Sequence, residues 1–213
     1  MPTGASREKH YLPATGVHFL LPIYDVLTKW MGMERPRLRM IELAGLREGE
    51  SVLDVGCGTG TLAIAIKKAA PGADVKGIDP DPAALVRGTK KAARAGAPIH
   101  FDRGFAGELP YPDSSFNHVF SSFMFHHLPT EEKERMVREV LRVLHPSGCF
   151  HLLDFNGQGH GFLARIAHSH QVMRENSEER VLGLLNAARF NNAKVVGRER
   201  SIFGEMAYYE ARK

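Results

Sequence analysis

The chain has 213 residues, enough for one domain with a substantial core, and its 43% hydrophobic and 24% charged residues are typical of a folded protein. The formal net charge is +4, but Lys and Arg alternate with Glu along most predicted helices, which indicates solvated helix faces and disfavours a nucleic-acid groove. Two cysteines, Cys57 and Cys149, exclude a disulfide framework and lack the spacing of metal ligands.

Residues 1–10 lack the apolar core of a signal peptide, and no apolar stretch approaches the ~20 residues that a membrane-spanning helix needs. With so few cysteines, we expect a protein of the reducing cytoplasm. Peripheral membrane contact stays open, and the sequence does not indicate an oligomeric state.

Segments typical of strands and helices alternate from residue 51 onward. Short β-branched or apolar runs predict strands, and longer segments with helical periodicity separate them. Asp81 followed by Pro82 predicts the start of a helix, Gly96 predicts its end, and residues 145–148 predict a turn. The predicted strands are residues 51–55, 74–79, 98–101, 116–123, 149–155, 193–200 and 205–212.

This order of elements predicts an α/β fold of the Rossmann-like, doubly wound type. Alternating strands and helices give a mostly parallel sheet, and the last two of the seven strands have no helix between them, which indicates a C-terminal antiparallel hairpin. We divide the chain into an N-terminal helical cap or lid at 1–45 and a core at 46–213, with a lid insertion at about 156–177. Ligands of such sheets bind beyond the carboxyl ends of the strands.

The segment LDVGCGTG, residues 53–60, places three glycines at alternate positions directly after Asp54. Gly56, Gly58 and Gly60 allow a sharp turn and close backbone approach, and the amides that open the next helix can meet an anion. A dinucleotide loop would normally read G-x-G-x-x-G, and a neighbouring carboxylate would repel pyrophosphate. The loop therefore favours a zwitterionic amino acid, whose carboxylate meets the amides while Asp54 attracts its ammonium.

Asp79 ends the second predicted strand and can accept hydrogen bonds from the hydroxyls of a ribose. The competing interpretation, a residue that caps the following helix, is already served by Asp81. An amino-acid end and a ribose end, about one strand apart, together indicate S-adenosylmethionine and its product S-adenosylhomocysteine.

Four segments together resemble the class I S-adenosylmethionine-dependent methyltransferases: LDVGCGTG, GIDPDP, ELPYPDSSF and LRVLHPSGCFHLLDF. The resemblance covers about residues 45–210. YDVLTKWMGMERPRLRMIE, residues 24–42, also looks like the subgroup that C-methylates ubiquinone and menaquinone precursors. The cofactor-binding residues that the resemblance implies are Tyr24, Asp54, Gly56, Cys57, Gly58, Gly60, Asp79, Pro80, Phe105, Ala106, Ser121 and Ser122.

One departure concerns the adenine end, where the family usually has Gly-Asp-Ala and this chain has Gly104-Phe105-Ala106. In one interpretation Phe105 packs on the adenine while the Ala106 amide binds a ring nitrogen. In the other, Phe105 points into the core, and Asp102 or solvent meets the adenine amino group.

Two histidines, His126 and His127, follow the fourth predicted strand at the mouth of the site, and we predict that one of them is a general base. Asp154, at the end of the fifth strand, is a rival, and histidines here can also merely shape the loop. Three further histidines lack a carboxylate or cysteine complement, so we predict no metal site and assign them to solvent or a lid: His160, His168 and His170.

The sequence thus predicts a methyltransferase that acts on a small, apolar or aromatic molecule, with a quinone-precursor-like acceptor among the candidates. The apolar segment HFLLPIYDVLTKWMGM can serve as core, lid or acceptor pocket. Two alternatives stay open: a module that binds the cofactor without turnover, and a dinucleotide-dependent oxidoreductase. A nucleic-acid substrate is not expected because there is no basic stripe with interleaved aromatic residues.

Overall fold

The computed structural model describes residues 33–157, 176–201 and 204–213. Within these residues, seven strands form one sheet in the order β3-β2-β1-β4-β5-β7-β6. The pairs among β1 to β5 are parallel, and β7 is antiparallel to both β5 and β6. The predicted fold class is therefore confirmed. The strands are β1 (Ser51–Val55), β2 (Asp74–Asp79), β3 (His100–Arg103), β4 (Phe116–Ser122), β5 (Leu144–Phe155), β6 (Asn191–Ser201) and β7 (Gly204–Arg212).

Helices connect the strands and end where local sequence signals predict. Asp81 accepts hydrogen bonds from the amides of Ala83 and Ala84 and so caps the helix after β2, while Gly96 adopts the left-handed conformation just beyond that helix. The helices in the described part of the chain are α1 (Glu34–Ala44), α2 (Thr61–Ala69), α3 (Pro82–Arg94), α4 (Thr130–Val143) and α5 (Glu178–Ala187), with a 3₁₀ turn at Phe125–His127.

The sheet is covered on both faces, which explains why residues 52–55 of β1 and 119–121 of β4 are buried in succession. On one face, α4 and α5 contribute a fully buried stripe that packs against β4, β5 and β7. On the other face, α1 and α2 pack against β1, β4 and β5, and α3 packs beside α2. Burial of α4 follows its helical periodicity, with Met136, Val137 and Val140 fully buried.

Two predicted boundaries were wrong. The third strand lies at His100–Arg103, two residues later than predicted, because it pairs with Lys76–Asp79 of β2. The predicted turn at 145–148 is instead part of β5, where the pairing with β4 moves from Leu144 to Cys149. Residues 145–147 are exposed there, so the Pro and Gly signals mark an irregularity inside a strand and not its beginning.

The reversal of strand order lies between β1 and β4, where ligands of doubly wound sheets bind. The carboxyl ends of β1, β2, β4 and β5 meet along this edge. The predicted cap at 1–45 and lid insertion at about 156–177 fall mostly outside the described residues and stay predictions. No helix in the described ranges is long and apolar enough to cross a bilayer.

Candidate functional site

The glycine loop runs from β1 into α2 with all three glycines at positive φ: 71° at Gly56, 52° at Gly58 and 71° at Gly60. A Cβ on Gly56 would lie 2.5 Å from the Met124 side chain, so an alanine there is excluded by both space and φ. A Cβ on Gly58 would point into open space. The loop backbone therefore borders a crevice that a ligand can approach closely.

Hydrogen bonds fix this loop against β2. The amides of Gly56 and Cys57 both donate to the carbonyl of Ile78, at 2.9 and 3.1 Å. Cys57 is buried, and burial raises the pKa of its thiol well above the usual value. We conclude that the thiol is inert and that Cys57 contributes its backbone to the site.

Asp54 lies at the end of β1 directly beneath the loop and is 1% exposed. Its Oδ2 accepts the amide of Ala63 in the first turn of α2 at 3.2 Å. Burial raises the pKa of this carboxyl to about 7, although the charge of Arg37 acts in the opposite direction. A ligand cation beside Asp54 would stabilise the charged form, which suits the role in ammonium binding that the sequence predicts.

Arg37 is a site residue that the sequence analysis missed. It lies on α1 and is only 9% exposed, and its Nε donates to the Ser122 hydroxyl at the end of β4 over 3.3 Å. Its guanidinium also lies 5.2 Å from the centroid of the Phe123 ring. The sequence spacing could have indicated its burial, because Arg37 precedes the buried Met40 and Ile41 by three and four residues and so shares their face of the helix.

Asp79 ends β2, and its carboxylate accepts hydrogen bonds from the glycine loop and from the residue before α3. Its Oδ2 accepts the amide of Gly58 at 2.8 Å, and its Oδ1 accepts the amide of Asp81 at 2.9 Å. Burial raises its pKa, against the effect of these two amides. Each carboxylate oxygen can accept a further hydrogen bond, so ribose binding stays compatible with these contacts. The next residue, Pro80, accepts a hydrogen bond on its carbonyl from Arg103.

At the predicted adenine end, Phe105 is half-buried, and none of the buried clusters of described residues includes it. Ala106 packs against the core cluster beneath. Asp102 already accepts a hydrogen bond from the Tyr111 hydroxyl at 2.8 Å and contacts His100 at 3.0 Å. Each Asp102 oxygen can accept a further hydrogen bond, so packing of Phe105 on the adenine and contact of the adenine amino group with Asp102 both stay predictions.

The chain turns sharply after β4. Ser121 is fully buried, and its hydroxyl has no hydrogen-bond partner within the residues the structure describes. Phe123 follows at φ 54°, an unusual conformation for an aromatic residue. Its backbone amide donates a hydrogen bond to the Leu153 carbonyl, and its ring contacts Phe155. This turn places the 3₁₀ segment over the end of β5.

His126 and Asp154 form a buried pair across this edge. His126 Nδ1 lies 2.6 Å from Asp154 Oδ1, and the His126 amide donates to Asp154 Oδ2 at 3.0 Å. Burial alone would raise the pKa of Asp154, but His126 and the amides of His126 and Phe155 together hold it below its usual value. An ionised carboxylate can only accept, so Nδ1 carries the shared proton, and Nε2 is the nitrogen left to exchange a proton with an acceptor.

His127 differs from its neighbour. It is exposed, and its ring centroid lies 3.9 Å from that of His126. The two predicted base candidates are thus distinguished by burial and by the contact with Asp154. Four other residues named from the sequence lie outside the described residues: Tyr24, His160, His168 and His170.

Comparisons with known proteins agree with this geometry. A family model described as a methyltransferase domain matches residues 52–148. A demethylmenaquinone methyltransferase of Thermus thermophilus is 35% identical over 139 residues, which are 64% of this chain and 62% of that protein. A demethylmenaquinone methyltransferase of Deinococcus radiodurans is 32% identical over 168 residues, 78% of this chain and 69% of that protein. The chain belongs to the class I S-adenosylmethionine-dependent methyltransferases.

The fold of this methyltransferase is also that of solved structures. A methyltransferase from Aquifex aeolicus matches with a TM-score of 0.69 at 20% identity, over 89% of this chain and 98% of that one. Membership in the family confirms the predicted cofactor, S-adenosylmethionine, and rules against the dinucleotide-dependent oxidoreductase. The match spans less than two thirds of the Thermus thermophilus protein.

The methyltransferase is expected to become more stable at high pH when Asp54 is replaced by asparagine. The pKa of Asp54 is about 7 in the folded protein and about 3.9 in the unfolded chain. The contribution of Asp54 to the free energy of unfolding is therefore fully present below pH 4 and is lost as the pH rises through 7. Asp54→Asn should match the wild type near pH 4 and exceed it by up to about 4 kcal/mol at pH 8. Urea unfolding of the ligand-free protein measures this, with the exposed Asp74→Asn as control. A stability difference that does not change with pH would contradict the prediction.

Proposed function

We propose that the chain transfers a methyl group from S-adenosylmethionine to a small, apolar or aromatic acceptor, of which a reduced naphthoquinone without its ring methyl group is the first candidate. The observation that carries this proposal is the buried His126–Asp154 pair at the same sheet edge as the glycine loop. The names of two relatives, both demethylmenaquinone methyltransferases, support the choice of acceptor.

The residues at this edge suit both ends of the cofactor. Asp54 and Arg37 offer opposite charges for the ammonium and carboxylate of the amino-acid end. The Asp79 carboxylate suits the ribose hydroxyls, and open space above Gly58 leaves room for close approach. When bound, the cofactor supplies an electrophilic methyl group on a sulfonium.

His126 then acts as the base toward the acceptor. Asp154 holds the proton on Nδ1, so Nε2 can take the hydroxyl proton of a phenol or hydroquinone. Loss of that proton makes the oxygen and the conjugated ring carbons electron-rich, which suits attack on a methyl group. Alignment of the two substrates and exclusion of water supply the remaining acceleration.

Aromatic side chains border this base and favour an apolar acceptor. The Phe155 ring meets His126 edge to face at a centroid distance of 5.5 Å, and Phe123 lies 5.4 Å from Phe155. Such rings offer apolar contact to a planar aromatic molecule. They also lower the local polarity around the His126–Asp154 pair, which strengthens their hydrogen bond.

Calorimetry and product mass together test the proposal. We expect S-adenosylhomocysteine to bind with a Kd on the order of micromolar. Incubation with isotope-labelled S-adenosylmethionine and a reduced naphthoquinone should yield a product heavier by one labelled methyl group. The matched control is the same compound with its ring position already methylated, which should gain nothing.

The two measurements separate the possible failures. Cofactor binding without turnover of reduced naphthoquinones, phenols or thiols would contradict the proposed reaction and support a module that only binds the cofactor. Methylation of a phenol or thiol but not the quinone would retain the reaction and overturn the acceptor. Absence of cofactor binding would overturn both.

A further inference from the structure

A second group of potential ligands lies away from the glycine loop, on the sheet face that α1 and α2 cover. Strand pairing places His151 of β5 beside Glu210 of β7, and Cys149 precedes His151 on the same face of β5. One ligand atom from each of these three side chains lies within 4.8 Å of the other two. Cys149 and His151 are each 4% exposed, so two of the three side chains are buried, unlike those of a group of surface charges.

We propose that Cys149, His151 and Glu210 bind a divalent transition metal ion of the zinc type. Thiolate, imidazole and carboxylate are the donors that Zn²⁺ takes in proteins, at roughly 2.0–2.3 Å. Tetrahedral geometry at these lengths puts ligand atoms roughly 3.3–3.8 Å apart, so the side chains need to move by only about 1 Å. The two strands that carry them are paired along seven residues, which holds the ligand backbones at fixed spacing.

His118 contacts His151 and fixes the orientation of its ring. Its Nδ1 lies 3.0 Å from Nε2 of His151, and one nitrogen of such a pair must accept and therefore carry no proton. A neutral imidazole is the form that binds metals. Glu50 contacts the other nitrogen of His118 at 3.2 Å and fixes the ring as an outer partner.

The charges around the cluster are consistent with a dication. Glu210 faces the exposed Arg212 at 3.5 Å and Lys194 at 3.8 Å, and both long side chains can turn to solvent when a metal takes the carboxylate. The thiolate is the form that binds a metal, so the metal has to displace the proton of the Cys149 thiol. A thiolate and a carboxylate then neutralise the ion. The fourth position is open to water.

Cobalt provides the direct test, because a thiolate bound to Co²⁺ gives a sulfur-to-metal charge-transfer band in the near ultraviolet. Tag-free wild-type protein, first treated with a chelator, should take up one Co²⁺ or Zn²⁺ and show this band. Cys149→Ser should lose the band, whereas Cys57→Ser, which changes the other cysteine, should keep it. Glu210→Gln should weaken Zn²⁺ binding by at least about tenfold in calorimetry.

Folding and cofactor binding are measured on the same variants. Cys149→Ser and Glu210→Gln should bind S-adenosylhomocysteine as the wild type does, because both positions lie apart from the glycine loop. Cobalt uptake without the band, or zinc affinity that is equal in wild type and both variants, would overturn the proposal. Lack of metal uptake by a wild-type protein that binds the cofactor would also overturn it.

Discussion

Replacement of His126 by alanine is expected to lower kcat by about 10²–10⁴-fold, the typical contribution of a general base. The reason is that the substitution removes the imidazole whose Nδ1 is held by Asp154. Cofactor affinity should stay nearly constant, since the change affects proton transfer and not the loop. Single-turnover rates with labelled cofactor, together with calorimetry, measure both quantities.

The exposed neighbour offers the control. His127→Ala removes a similar ring from the same 3₁₀ turn but leaves the contact with Asp154, so its kcat should remain close to that of the wild type. If both variants turn over normally with an unchanged pH profile, the histidines shape the loop and proximity carries the reaction.

Asp154 is predicted to act through His126 as a positioning residue. Asp154→Asn keeps the size of the side chain but has only one acceptor oxygen, which cannot serve both His126 Nδ1 and the His126 amide. When that oxygen faces the amide, the NH2 group faces Nδ1 and the ring loses its preferred tautomer. We expect a reduced kcat with little change in KM for the acceptor and a shifted pH profile. If the variant is less stable but its remaining activity has the pH profile of the wild type, the role of Asp154 is purely structural.

Replacement of Asp79 by alanine is expected to weaken S-adenosylhomocysteine binding by about 1.5–3 kcal/mol, or roughly 10–150-fold, because the ribose hydroxyls lose a charged acceptor. The same carboxylate binds the amides of Gly58 and Asp81, so the substitution also frees the glycine loop. Affinity measured by calorimetry therefore needs a second comparison to isolate the ribose contact.

A cofactor analogue without the two ribose hydroxyls supplies that comparison. In the wild type the analogue should bind more weakly than S-adenosylhomocysteine, whereas in Asp79→Ala the two ligands should bind almost equally. If Asp79→Ala weakens the binding of both ligands by the same factor, Asp79 acts only by holding the glycine loop and not by contacting the ribose. Urea unfolding of the free variant reports how much the loop bonds contribute to stability.

Much of the geometry of the candidate site could be predicted because it is local in sequence. The three glycines need positive φ within five residues, and Asp54 and Asp79 lie at or next to the end of a strand that the apolar pattern identifies. Such features depend on neighbouring residues and on the rule that parallel strands end along one edge. The helix cap at Asp81 follows from the same kind of local signal.

Contacts between distant segments could not be predicted in the same way. Arg37 enters the site only through the packing of α1, and the partner of His126 is 28 residues away. Glu210 reaches Cys149 and His151 through strand register, which depends on where the irregularity in β5 falls. In each case the sequence supplies the chemistry, but tertiary packing decides which groups meet.

The position of β7 constrains how this sheet can be built on a ribosome. β7 lies between β5 and β6 although it follows both in the chain, so β6 has no place to pair until β7 exists. Newly made β5 therefore exposes one backbone edge until residues 204–212 emerge, an interval of roughly 3–10 seconds at about 5–20 residues per second. During that time the nascent chain carries an apolar strand edge that another chain can pair with. Factors that shield emerging chains would thus be most valuable over this stretch of synthesis.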